Sequence, residues 1–176
     1  MKETDLKKCI RNVPNFPIKG VMFRDITTLV QDPVAFKFVI DKFYNRYRDR
    51  KIDMIVAIEA RGFIFGGALA SRLGCGFVPA RKAGKLPSEI IEEKYDLEYG
   101  TASLQIHSDS ITKGQHVIIL DDLLATGGTI GATARLVERL GGVVDEIAVI
   151  VELSFLKGRE KLKKYKVYSM VNYESE

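Results

Sequence analysis

Two adjacent carboxylates followed by a glycine pair between threonines make the most chemically suggestive stretch of this chain, DDLLATGGT at 121–129. Glycines at Gly127 and Gly128 let successive peptide N–H groups converge on one point. The periodic segment behind them predicts a helix whose positive N-terminal end favours an anion. With the hydroxyls of Thr126 and Thr129, the residues Ala125, Thr126, Gly127, Gly128 and Thr129 make a phosphate cradle. Ionised Asp121 and Asp122 can accept hydrogen bonds from sugar hydroxyls. They can also offset positive charge that develops on a sugar ring as a leaving group departs. A tight turn that merely caps a helix would use the same residue types. The spacing is neither GxxxxGK[ST], because no lysine is present, nor GxGxxG, so the two familiar nucleotide loops are excluded.

A second group is cationic. Arg61 stands in EARG, and Arg81, Lys82 and Lys85 stand in ARKAGK. Arginine forks and lysine ammonium groups hold dense anions such as pyrophosphate. Ordinary surface charge competes with that reading, most of all at Lys85. His107 and His116 have no metal-ligand spacing and read as structural strand residues, and Cys9 and Cys75 form no CxxC pair.

These groups need a frame. MIVAI (54–58), GFVPA (76–80), HVIIL (116–120) and EIAVIVEL (146–153) are short apolar runs, and helical patterns stand between them. Strands that are apolar throughout are covered on both faces, and right-handed crossovers set them parallel. The expected fold is α/β, with an open, mainly parallel central sheet flanked by helices, in a single domain over 1–176. Asp32-Pro33 marks a helix start, and Phe36, Val39, Ile40, Phe43 and Tyr47 give the helix an apolar face. A short helix is expected over 4–12, and irregular or strand-like chain over 20–28. DDLLATGG is expected to be a loop. The charged stretch 84–100 resists assignment as a core element and reads as a functional lid.

The formal net charge of +4 suits a nucleic-acid binder or an enzyme acting on a polyphosphate. The densest basic run, KGREKLKKYK at 157–166, lacks the interleaved aromatics of a base-stacking platform and reads as solvated surface, so no nucleic-acid partner is expected. No apolar run reaches membrane-spanning length and the N-terminus lacks a signal-peptide core, so no membrane association and a cytoplasmic location are expected.

VIILDDLLATGGT (117–129) resembles the signature of the type I phosphoribosyltransferases. The resemblance implies that the loop grips the 5-phosphate of 5-phosphoribosyl 1-pyrophosphate (PRPP), with Asp121 and Asp122 on the ribose hydroxyls. Further segments, GVMFRDIT (20–27), EARGF (59–63), RKAGKLP (81–87), LEYGTASLQIH (97–107) and LKGREKL (156–162), resemble the adenine-using branch of that family. This implies phosphoribosyl transfer to N9 of adenine, giving AMP and pyrophosphate. It implies Arg61, Arg81, Lys82 and Lys85 on pyrophosphate, and adenine beside Met22, Phe23 and Arg24, read mainly by the backbone of Met22 and Arg24. Glu98 would be the acid-base residue and Tyr99 its neighbour in closing the site. Phe23 fits a core role equally well, and Glu98 also fits a solvated loop. The same resemblance implies an N-terminal hood over about residues 1–30, Mg²⁺ held mainly through PRPP and water, and a homodimer. Ala83 departs from relatives that carry a third cation there. Two rivals stand beside this reading. A 6-oxopurine enzyme would want a cation where this chain has Glu152 in VELS, with Lys157 the nearest substitute. A non-catalytic PRPP sensor would want a separate DNA-binding extension.

Overall fold

The computed structural model describes residues 3–96 and 101–175. The chain opens with helix α1 (Glu3–Leu6) and a 3₁₀ turn (Lys7–Cys9), then enters strand β1 (Arg11–Pro14). The helix expected over 4–12 therefore stops short. Its last residues pair instead with β2 (Met22–Asp25) in a two-stranded antiparallel ribbon, and the Arg11 guanidinium donates to Asp25 Oδ2 at 2.7 and 3.0 Å. Partners fourteen residues apart outweigh the local helical pattern.

After α2 (Thr27–Gln31), Asp32 accepts from the N–H groups of Val34 and Ala35 and starts α3 (Pro33–Tyr47). The apolar stripe predicted for this helix is buried at Val39, Ile40, Phe43 and Tyr47. Next come β3 (Met54–Ile58), α4 (Arg61–Leu73) and β4 (Gly76–Lys82), with Gly74 closing α4 in the left-handed conformation at φ 71°. Strands β5 (Ile90–Asp96) and β6 (Thr101–His107) form an antiparallel pair. They are followed by β7 (His116–Leu124), α5 (Gly128–Arg139), β8 (Val143–Leu153) and β9 (Val167–Tyr173).

The main sheet has seven strands in the order β5-β6-β4-β3-β7-β8-β9. Strands β4, β3, β7, β8 and β9 run parallel, and β6 lies antiparallel to both β4 and β5. The expected open, mainly parallel sheet is what forms. Alternation within β7 shows why its sequence is apolar throughout. Ile118 and Leu120 pack with Phe43 and Phe65 on the α3/α4 face, while Val117 and Ile119 pack with Ile130 and Leu136 on the α5 face. With both faces covered, no position in the run faces water.

Two expected loops are partly strand. Asp121 and Asp122 lie inside β7, which keeps its pairing with β8 as far as Leu124↔Glu152. Residues 90–96 of the charged 84–100 stretch form the edge strand β5. Charges suit an edge, since they discourage pairing with another chain.

Candidate active site

The site is assembled where the parallel strands end. At the end of β7 the chain turns through Ala125, Thr126 and Gly127 into α5, and Gly127 takes φ 78°, a left-handed conformation in which glycine carries no side-chain penalty. The turn encloses a cavity of about 80 Å³ lined by Asp121, Ala125, Thr126, Gly127, Gly128 and Thr129 among others. All five loop residues singled out from the sequence line it. The α5 N-terminus gives it the electrostatics of an anion site.

Asp122 is 3% exposed and Asp121 is half-buried. Asp122 N–H donates to Asp121 Oδ1 at 2.8 Å. Burial raises the Asp121 carboxyl well above its ordinary value, and the Asp122 charge pushes it the same way. Burial likewise raises Asp122, against the pull of the Arg61 cation. Arg61 Nε stands 2.9 Å from Asp122 Oδ2, but that oxygen receives no hydrogen bond of acceptable angle. Gly62, present in EARGF but given no role there, allows this closeness. A β-carbon at Gly62 would stand 3.0 Å from Leu120 O and 3.1 Å from Asp121 Oδ1. The signal was available in the glycine following Arg61 at a strand end.

Arg61 reaches a second compartment as well. Its guanidinium carbon lies 5.4 Å from the centre of the Phe23 ring, within cation–π range. Both residues line an open cavity of about 410 Å³, together with Val13, Phe16, Asp25 and Thr27. Phe23 packs edge-on against Phe16 at 5.1 Å, so it lines this cavity and does not belong to the buried core clusters. Strand alternation in β2 turns its neighbours away. Met22 lines a different depression, and Arg24 is buried, donating to Asn12 Oδ1 at 2.5 Å and stacking 4.1 Å over Tyr173. Only backbone groups of Met22 and Arg24 are thereby left for contact on the Phe23 side. Asp25 is held below its ordinary value by the Thr27 N–H and hydroxyl, with help from Arg11.

The remaining cations sit at the end of β4 and in the turn after it, beside Glu59 at the end of β3. Arg81 Nε donates to Glu59 Oε2 at 2.8 Å and its Nη1 to the Lys85 carbonyl at 3.1 Å. Glu59 opens EARGF but carried no assigned role there. Lys82 and Lys85 are exposed. The turn between them is held by Gln105, which accepts from Gly84 N–H at 3.1 Å and donates to Glu92 Oε2 at 2.8 Å. His107 ends β6 and His116 begins β7, in keeping with structural roles. Glu98 and Tyr99 lie outside the described residues.

A glycine turn at a helix N-terminus, an acid pair, neighbouring cations and an aromatic-lined cavity thus lie around the ends of the parallel strands. The phosphoribosyl transferase domain family matches residues 25–175. The adenine phosphoribosyltransferase of Desulfosudis oleivorans is 57% identical over 172 residues, covering 98% of this chain and 99% of its own. The chain belongs to the adenine phosphoribosyltransferase family. Solved members share its fold closely. The crystal structure of the Thermoanaerobacter pseudethanolicus enzyme aligns with a TM-score of 0.94 at 52% identity, covering 98% of this chain and all of that one. The Saccharomyces cerevisiae enzyme, solved with D-2,5-dideoxy-2,5-imino-altritol 1,6-bisphosphate and adenine, aligns with a TM-score of 0.91 at 42% identity, covering 96% and 97%.

Proposed function

We propose that this chain transfers the 5-phosphoribosyl group of PRPP to N9 of adenine, giving AMP and pyrophosphate in purine salvage. The observation that carries the reading is Arg61, which touches the acid pair beside the phosphate loop and the aromatic wall of the larger cavity at once. A sugar phosphate in the loop and a flat base against Phe23 would meet beside it.

In this reading, N–H groups and hydroxyls over 125–129 hold the 5-phosphate, and Asp121 and Asp122 accept from the ribose hydroxyls and favour cationic character at C1. Arg61, Arg81, Lys82 and Lys85 hold pyrophosphate as the C1–oxygen bond breaks and take up its charge. Adenine lies against Phe23, with the backbone of Met22 and Arg24 reading its edge. The N9–C1 bond forms as Glu98 accepts the N9 proton. The β1–β2 ribbon serves as the hood and 84–100 as the lid that excludes water, with Tyr99 helping to close it.

A Mg²⁺ ion held mainly by PRPP oxygens and water is part of the proposal, since that ion binds polyphosphate oxygens while keeping several waters. When bound, that ion supplies charge neutralisation to the pyrophosphate. A homodimer is part of the proposal, and the exposed apolar side chains Ile64 and Phe77 on α4 and β4 are surface that a second copy would cover. A sedimentation measurement giving a monomer at micromolar concentration would remove the homodimer. A cytoplasmic location suits PRPP, which is too highly charged to cross a membrane unaided.

The test offers the protein PRPP, Mg²⁺ and each purine base in turn and measures pyrophosphate release. Release with adenine alone is expected. Release with hypoxanthine or guanine and not adenine would overturn the reading in favour of a 6-oxopurine enzyme. For Glu98→Ala, turnover is expected to fall by roughly 10²–10⁴-fold with little change in PRPP affinity. Unchanged turnover would remove Glu98 from the proton transfer.

A further inference from the structure

The segment LKGREKL (156–162) has no role in the chemistry above, yet its backbone lies directly against the phosphate loop. A β-carbon at Gly127 would stand 2.5 Å from the Gly158 carbonyl oxygen, and one at Gly158 would overlap the Ala125 carbonyl oxygen and reach 2.9 Å from Leu124 Cδ1. The two peptide chains therefore touch with no side chain between them. Gly127 has a positive φ, but Gly158 does not, so the demand for glycine at 158 is a demand for space alone.

The turn that presents Gly158 is itself tied down. Lys157 makes it in the left-handed conformation at φ 55°. Arg159 donates to Glu152 Oε1 at 2.6 Å and Oε2 at 2.7 Å, and to the Val167 carbonyl at 3.0 Å. Ser169 adds a hydrogen bond to Glu152 Oε2 at 2.7 Å. Glu152, 4% exposed, is paired with Leu124, the last residue of β7 before the loop. Leu162, 1% exposed, anchors the far side of the segment in the same core cluster as Leu124 and Ile130. A two-pronged guanidinium pair with a nearly buried carboxylate is directional, and it fixes the position of the residue next to it.

We propose that the turn 157–159 is the backstop of the phosphate loop, and that Gly158 and Arg159 are positioning residues that hold the loop in the shape that receives the 5-phosphate. This rests on the loop's reading as the 5-phosphate site. A side chain at 158 pushes Ala125 and Gly127 towards the cavity and misaims their N–H groups, while the pyrophosphate cations, carried by α4, β4 and the turn after β4, stay in place. The lesion is therefore selective.

The full-length Gly158→Ala variant is compared with the unaltered chain by calorimetric titration with ribose 5-phosphate and, separately, with pyrophosphate. Ribose 5-phosphate affinity is expected to fall by about tenfold and pyrophosphate affinity to change by less than about twofold. In turnover, KM for PRPP rises while KM for adenine does not. Equal losses for both ligands, or no loss of ribose 5-phosphate binding, would overturn the proposal. Should that variant not fold, Arg159→Met removes the fork and keeps Gly158. It is expected to show the same selectivity more weakly, with Arg159→Lys between it and the unaltered chain, and a uniform loss would count against the backstop. If the unaltered chain fails to bind ribose 5-phosphate, the loop assignment itself falls and takes this inference with it, an outcome distinct from a variant that binds as well as its parent.

Discussion

Asp121 and Asp122 place two acids side by side in the interior end of a strand, where a fold left to stability alone would put apolar groups. Burial and mutual repulsion hold Asp121 well above the ordinary carboxylate range. For an acid whose folded value is raised, its contribution to stability is intact below the unfolded value, about 4, and is lost as pH rises through the folded value. Asp121→Asn removes that loss. The variant is expected to be more stable than its parent at pH 8 by about 1–2 kcal/mol, a rise of a few degrees in Tm, with the advantage shrinking towards pH 4. AMP formation should fall in the same variant, because the neutral amide is a poorer acceptor for a ribose hydroxyl. Thermal unfolding at several pH values checks the first claim, and an advantage that grew on acidification would show that burial of charge is not the cause. Arg61 belongs to the same balance, since it is the cation that draws Asp122 back towards ionisation.

At the level of elements, an opposite linkage operates at the other end of the sheet. Glu146, near the start of β8, accepts from Arg46 at 2.7 Å through both oxygens and from the Tyr47 hydroxyl at 2.7 Å, tying the end of α3 to the sheet. Burial alone would raise this carboxyl, but the hydrogen bonds from Arg46 and Tyr47 outweigh it and the net shift is downward. Stability from such a group is present above the ordinary carboxylate value and is lost as pH falls through the folded one. Glu146→Gln is expected to cost about 1–3 kcal/mol at neutral pH, moderated because Arg46 is partly solvated, with the cost fading in acid and turnover unchanged. Denaturant titrations at two pH values decide it.

The elements also show what the sequence could convey. Helix α3 and strands β3, β7 and β8 were legible because burial on one stripe or on both faces dictates their composition. The ends were not. That β7 continues through the acids depends on β8 reaching as far as Glu152, and that 11–14 is strand depends on β2 lying beside it. In the site, residue types singled out the loop 125–129 that lines the small cavity and the cations near the strand ends. The contact of Arg61 with Phe23 and the lodging of Gly158 against Gly127 arise from elements far apart in the chain, and no spacing encodes them. The basic run 157–166 shows both sides. Lys157, Lys161, Lys163 and Lys164 are exposed as expected, while Gly158 and Leu162 are buried and Arg159 is committed to Glu152.

Taken as a whole, the molecule carries a net charge of +4 and has Arg61, Arg81, Lys82 and Lys85 around the ends of β3 and β4. Two of these are already engaged, Arg61 by Asp122 and Arg81 by Glu59, so attraction for an incoming polyanion falls most heavily on exposed Lys82 and Lys85. Exposed charges act through solvent and are screened, with a Debye length that shrinks from about 10 Å at 0.1 M salt to about 3 Å at 1 M. The two substrates should therefore part company when salt is added. KM for PRPP is expected to rise by roughly three- to tenfold between about 0.05 and 0.5 M salt, while KM for adenine, an uncharged base, holds nearly constant. Removing Lys82 and Lys85 together, each to Gln, should raise KM for PRPP at low salt and flatten its salt dependence, because the screened interaction is then missing from the start. A parallel rise in both KM values would mean that salt acts on the fold or the lid and not on the field of these cations. An unchanged salt dependence in the double variant would shift the burden to Arg61 and Arg81, whose carboxylate partners would then have to release them as PRPP binds.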